Sequence, residues 1–189
     1  MDEGTIGTER LLLTPLGAGD ADELVGVLAD PGLHEFIGGR PATLEELRAR
    51  FAAMTAGSGS PDELWRNWVV RRRADGQAVG TVQATLSRRQ GGWSAEVAWV
   101  VGLAHQGQGY AAEAARALVG WLAERDVGEV VAHIHPGHAA SARVAERAGL
   151  QPTDDRVDGE VVWRGVTGGL VRDRRPRRGG PGGRPVPGR

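Results

Sequence analysis

Apolar residues change their spacing along this chain from helical to strand-like and back. Arg10 to Thr14 reads as a short strand. Asp20 with Glu23 predicts a capped helix over 21–29, with Pro31 just beyond its end. Thr43 with Glu46 repeats the device and opens a second helix, on which Leu44, Leu47, Phe51 and Met54 share a face. Gly57 to Pro61 is loop. The period then falls to two. Trp68 and Val70 lie in a strand that runs to about Arg73, and Asp75-Gly76 signals a hairpin turn. In the next strand Val82, Ala84 and Leu86 alternate with Thr81, Gln83 and Thr85. After a polar turn over 87–92, Ala95, Val97, Trp99 and Val101 fall on one face of a third strand. Together these strands predict an antiparallel meander.

A loop over 102–109 leads into a helix from Tyr110 to about Glu124, with Ala111, Ala114, Leu118 and Leu122 at helical spacing. Residues 129–135 return to period two through Val130, Ala132 and Ile134. A helix from about Ala139 to Ala148 ends at Gly149, and Asp158-Gly159 marks a hairpin turn before a last strand over 161–166. The strand near 97, the helix near 117 and the strand near 132 make a β-α-β unit, whose strands run parallel if they share a sheet. The expected fold is therefore an α/β sheet of mixed direction with helices on both faces. There is no internal repeat.

The length of 189 residues suits one domain with a sizeable core. All 23 basic residues are arginine, so a catalytic lysine or Schiff base is excluded. Cysteine is absent, which excludes disulfides, thiolate nucleophiles and Cys-ligated zinc. The start, Met1-Asp2-Glu3-Gly4, is acidic and lacks the apolar stretch of a signal peptide. No apolar run reaches the ~18 residues of a membrane span, so cytoplasmic residence is expected. The net charge of −1 hides an asymmetry. Arg172 to Arg189 holds 7 Arg, 5 Gly and 4 Pro, and reads as a disordered tail outside a domain of residues 1–171. The remaining body has 16 Arg against 23 acidic residues, a net charge of −7. That excess argues against nucleic acid as the ligand of the folded part and favours a cationic partner.

Gln106-Gly107-Gln108-Gly109-Tyr110-Ala111 sits between a strand and an alanine-rich helix. Its glycines let the backbone approach a ligand, and the first helical turn presents unpaired N–H groups at the positive end of the helix dipole. An anion site is expected there. Gly107-x-Gly109-x-x-Ala112 also resembles the dinucleotide fingerprint of a nucleotide-cofactor oxidoreductase. However, Gly102 to Gln106 separates it from the strand, and the next strand ends in His133-Ile134-His135-Pro136 rather than in an acid.

Gln106, Gly109 and Ala111 match every fixed position of the acetyl-coenzyme A pyrophosphate loop of the GNAT N-acetyltransferases. Thr8-Glu9-Arg10-Leu11-Leu12-Leu13 and Asp20-Ala21-Asp22-Glu23-Leu24 resemble the opening of the branch containing ribosomal-protein N-terminal acetyltransferases. Ser141 to Leu150 resembles the helix after that family's fifth strand. The resemblance spans about residues 8–166. It implies a mixed, mostly antiparallel sheet of six or seven strands whose fourth and fifth strands splay apart, with acetyl-CoA as co-substrate. It places the pantetheine arm against backbone groups of Val100 and Val101, and the phosphates on Gln106, Gly107, Gln108, Gly109, Tyr110 and Ala111, with His138 and Ser141 nearby. The activity implied is direct attack of an amine on the thioester. The acceptor is a small-molecule or peptide amine, and the protein acts as a monomer or homodimer. Helices over 21–56 would form part of the acceptor pocket.

The chain departs from its relatives at two places. His138 stands where the family often has Asn. Ala145 stands where many members carry the Tyr that protonates the leaving thiolate, and Tyr110 is the only Tyr in the chain. Ser141 is the nearest replacement donor, although a serine at a helix start can equally be its cap. Losing the acid altogether would leave an acyl-CoA-binding sensor. For the base, Glu96 lies on the strand face opposite Val97 and Trp99. His133, His135 and His138 form an H-x-H-x-x-H cluster, but without further ligands no metal site is expected, and contact with substrate or cofactor fits better.

Overall fold

The computed structural model describes residues 3–167. The tail expected over Arg172 to Arg189, and with it the domain boundary, lies outside the described residues. β1 (Ile6–Gly7) pairs antiparallel with β2 (Leu11–Pro15), and β2 pairs antiparallel with β3 (Glu63–Arg72). β3, β4 (Ala78–Arg89) and β5 (Gly92–Val101) form the expected meander. β6 (Val127–Ile134) joins β5 in parallel. The chain then makes β7 (Gln151–Val157) at the sheet edge and returns with β8 (Glu160–Val166) between β7 and β6, antiparallel to both. The order is β1-β2-β3-β4-β5-β6-β8-β7.

The described sheet thus has eight strands rather than six or seven. β1 has only two residues. β7 reads Gln-Pro-Thr-Asp-Asp-Arg-Val and shows no alternation, because an edge strand with little covering needs no apolar face. β5 and β6 are the one parallel pair. The doubly wound parallel sheet that a dinucleotide site requires is therefore not formed by the described residues.

Strand alternation decides which face each helix covers. α4 (Tyr110–Ala123) crosses from β5 to β6 and buries Ala114, Leu118 and Leu122 against Val82, Leu86 and Val97. α5 (Ala139–Arg147) adds Ala145 to the same core. Each fully buried Leu contributes about 1.5–3 kcal/mol. On the other face, α1 (Ala21–Leu28) and α3 (Leu44–Ala56) bring Leu24, Leu47 and Phe51 onto Val69 and Ala78. Gly102, just past β5, lies close against α1. A Cβ there would lie 2.7 Å from Val27 Cγ1 and 2.8 Å from the Val27 carbonyl oxygen, so only glycine admits this approach.

The two expected capping boxes fare differently. At α3, Thr43 Oγ1 accepts from the Glu46 N–H at 3.3 Å, and the Glu46 carboxylate accepts from the Thr43 N–H at 2.8 Å. At α1 the box does not form. Asp20 instead accepts from the Gly17 N–H and from Arg71 Nη2, both at 2.7 Å, while Glu23 accepts from the Ala78 N–H at 2.7 Å and from Arg71 Nη1 at 2.5 Å. Arg71 on β3 offers both carboxylates charge-assisted bonds, which are stronger than a neutral cap. The result ties α1 to the sheet. Among the described residues no helix is long and apolar enough to cross a membrane.

Candidate active site

β5 and β6 pair only from Trp93–Val127 to Glu96–Val131. Beyond that point β5 continues on β4 as far as Val101, and β6 continues on β8 as far as Ile134. The two strands therefore fork, as the resemblance implied. At the tip of the β5 arm, Gly102 donates its N–H to the Val79 carbonyl at 2.9 Å. Ladder alternation then turns the N–H and C=O of Trp99 and Val101 into the fork, while the Val97 N–H still serves the last rung to Val131. Val100 and Val101 thus stand together at the end of the β5 arm, beyond the last rung to β6. The Val101 carbonyl also accepts from Gln106 Nε2 at 2.9 Å, which fastens the start of the glycine loop to the end of β5.

The glycine loop is held on both sides. Gly107 has φ +74° and Gly109 has φ +82°, in the left-handed region that a Cβ disfavours. Gly109 is the N-cap of α4, so Tyr110, Ala111 and Ala112 begin a helix whose first N–H groups lack intrahelical partners. A Cβ at Gly107 would meet nothing within 4 Å, which leaves that side open to a ligand. Arg10 backs the loop: Nη1 donates to the Gln108 carbonyl at 3.0 Å, and the guanidinium lies 5.0 Å from the centre of the Tyr110 ring. Glu113, in the first turn of α4, would repel an anion if left alone. It accepts from Thr8 Oγ1 at 2.6 Å, from the Arg10 N–H at 2.9 Å and from Arg10 Nε at 2.7 Å. Burial disfavours its charge, but these bonds outweigh burial and hold the carboxyl below its ordinary range. Its charge is thus matched by that of Arg10.

Each face of the fork carries a polar pair. On the α1/α3 face, Glu96 Oε1 lies 3.5 Å from His133 Nδ1, so the pair bridges the two strands where the fork opens. Thr85, Ser94, Val131 and Arg164 complete a hollow of about 280 Å³ around them. On the α4/α5 face, Trp99 Nε1 donates to Ser141 Oγ at 3.1 Å and joins the β5 arm to α5. Of the three clustered histidines, His133 turns to the fork while His135 and His138 both pack on Phe36. His133 faces Glu96, His135 Nδ1 accepts from the Gly137 N–H at 3.1 Å, and His138 stacks on Phe36 with ring centres 4.2 Å apart. Burial, reinforced by nearby His135 and opposed by Glu35, lowers the His138 pKa, so the stacked ring is neutral near pH 7. Among the described residues no group of three or more His, Asp or Glu is placed to hold a metal. Phe36 belongs to α2 (His34–Ile37), a single turn between Pro31 and Gly38. Its stack draws the segment ahead of α3 over the start of α5.

A family model described as "Acetyltransferase (GNAT) domain" matches residues 10–151. The chain belongs to the GNAT acetyltransferase family. YkkB of Bacillus subtilis (strain 168), itself uncharacterised, is 33% identical over 84 residues, which are 44% of this chain and 49% of YkkB. The match thus spans about half the length of that curated relative. An acetyltransferase from Agrobacterium tumefaciens str. C58 is 28% identical with a TM-score of 0.66, covering 87% of this chain and 95% of that one. RimL, the ribosomal L7/L12 alpha-N-protein acetyltransferase, solved with coenzyme A, shares the fold. Its TM-score is 0.70 at 15% identity, over 86% of this chain and 98% of RimL.

The GNAT frame fixes where the departures fall. Ala145 is fully buried in the core, with no side-chain group to give a proton. Ser141 lies one turn earlier on the same face of α5. It is the third residue of α5 and does not cap it; His138 holds the cap position and makes no side-chain cap bond. The alternative role of Ser141 as the cap of this helix is therefore not met, because the helix begins at Ala139 as its pattern predicts. Three partnerships escape a sequence reading: Trp99 with Ser141, Phe36 with His138, and Arg10 with Glu113. The last joins residues 103 apart in the chain.

Proposed function

We propose that the protein transfers an acetyl group from acetyl-CoA to a primary amine by direct attack. The observation that most supports this is the fork. Its β5 arm from Trp99 to Val101 suits, through backbone groups, the amides of an extended pantetheine arm. The loop from Gln106 to Ala111 at its open end suits a pyrophosphate, through the N–H groups of the first turn of α4. In this reading His138 and Ser141 flank the arm on the α5 side. Acetyl-CoA supplies an activated acyl group. The chain's own residues hold it, exclude water and handle the proton. An attacking amine must lose a proton, and Glu96 with His133 stands where the fork meets the open sheet face, ready to accept it. Backbone N–H groups of the β5 arm polarise the acyl carbonyl. The acidic body favours a cationic acceptor, either a small amine or a peptide N-terminus, and α1 to α3 would line its approach.

A thiol-release assay with acetyl-CoA against a panel of amines and peptides tests the reading. Acceptor-dependent release should appear in the wild type. In Glu96→Gln, kcat should fall by about 100-fold or more with unchanged acetyl-CoA affinity. Tight acetyl-CoA binding without release to any amine would instead mark an acyl-CoA sensor.

A further inference from the structure

We infer that Trp99 is a positioning residue: its indole N–H holds Ser141 so that the serine O–H is aimed at the sulfur of coenzyme A in the fork. The inference rests on the acetyl-transfer reading. An indole N–H can only donate, whereas a hydroxyl has one hydrogen to give and two lone pairs to receive. The bond from Trp99 Nε1 therefore occupies a lone pair of Ser141 Oγ and turns the hydroxyl hydrogen elsewhere. Among the described residues nothing accepts that hydrogen, and the carbonyls one turn back in the chain do not take it. Ser141 is half-buried, so its donor is aligned by the protein but not used by it.

The placement gives the donor a task. Trp99 stands three residues beyond the last β5–β6 rung, and Ser141 stands on the helix that follows β6. The bond thus joins the two arms at the depth where an acyl thioester between them would react. As the new C–N bond forms, the C–S bond breaks and its electron pair goes to sulfur. The proton lost by the amine goes to the Glu96–His133 pair. Ser141 keeps its own proton and donates a hydrogen bond to the thiolate, which takes a proton from water on release. With Ala145 buried and inert, a single oriented hydroxyl replaces an acid, and the indole supplies the orientation.

Two measurements on the whole protein test this. In the free protein, the Trp99 indole N–H resonance in a ¹⁵N spectrum should move in Ser141→Ala and largely return in Ser141→Thr. With coenzyme A carrying ¹³C beside its sulfur, the pH midpoint of thiol ionisation in the complex should rise in both Trp99→Phe and Ser141→Ala. It should rise no further in the double variant. kcat should fall roughly ten-fold in each single variant with unchanged acetyl-CoA affinity, less than for an oxyanion-hole donor because sulfur accepts more weakly. Ser141→Ala removes no core volume, so it reports on the bond even if Trp99→Phe folds poorly. An indole resonance blind to Ser141→Ala, or a thiol midpoint equal to wild type in the variants, overturns the inference while the acetyl-transfer reading stands. Failure of the wild type to bind coenzyme A by calorimetry overturns both.

Discussion

Replacing Gly109 by Asp and by Asn separates the charge of the glycine loop from its shape. Both side chains tolerate φ +82°, so the backbone cost is shared and amounts to about 1 kcal/mol or less. The carboxylate alone meets a ligand phosphate. At a separation of ~5 Å and an effective dielectric of 20–40, that repulsion costs about 2–3 kcal/mol per phosphate charge. Arg10 offsets part of it, since Nη2 lies 3.5 Å from where the new Cβ would stand. Acetyl-CoA should therefore bind about 30- to 150-fold more weakly to Gly109→Asp than to Gly109→Asn, with the ratio shrinking as salt rises. Stability should show the opposite sign. A negative charge at the N-terminus of α4 is favourable by ~0.3–1 kcal/mol, so the Asp variant should melt no lower than the Asn variant. Calorimetry and thermal melts read the two effects separately. Equal acetyl-CoA affinities in the two variants at low salt would refute an anion site at this loop.

Three further outcomes follow from contacts around the site. Gly102→Ala forces a Cβ against the Val27 carbonyl, which cannot swing aside, and should cost about 1–3 kcal/mol in denaturant unfolding. Glu113→Gln weakens the charge-assisted bonds to Thr8 and Arg10 and should cost about 1–2 kcal/mol. Because the Glu113 carboxyl is depressed in the fold, its contribution is complete above its ordinary value of 4.5 and is lost as pH falls through the depressed one. The stability-against-pH curve of Glu113→Gln should be flatter there. His138 has a lowered folded pKa, so between that value and 6.5 the unfolded chain binds more protons than the folded one. Stability should rise with pH across that window and rise less steeply in His138→Asn, read by urea unfolding at several pH values.

The parts of this fold that obey a period were legible without coordinates. The alternation of Val82, Ala84 and Leu86, and the helical spacing of Leu118 and Leu122, fixed the β3–β5 meander and the α4 crossover, because burial on one face forces those patterns. β7 escaped because an edge strand has little to bury. The Asp20–Glu23 motif misled because Arg71, distant in sequence, outcompeted the local cap. The same limit governs the site. Gln106 to Ala111 is a local motif and could be read directly. Trp99 with Ser141, and Glu96 with His133, depend on which strands pair and on where the pairing stops, and neither is written in any short stretch of chain.

Strand parity links those two pairs. Glu96 and Trp99 are three apart on β5, an odd interval, so they emerge on opposite faces of the sheet. Ala95 and Val97 are buried under α4 and lock the register, since a slip of one residue would expose them and bury Glu96. One strand thereby presents a carboxylate to the α1/α3 face and an indole to the α4/α5 face, within one fork. Amine acetylation makes two proton demands, at the attacking nitrogen and at the departing sulfur, and they fall on opposite sides of the acyl carbon. A fork whose β5 arm reaches both faces can meet each demand with a short side chain from the other arm. In the proposed reaction His133 has that part on one face and Ser141 on the other, each already in contact with the β5 arm. Under the proposed mechanism, the buried alanine at position 145 leaves the site altered rather than incomplete.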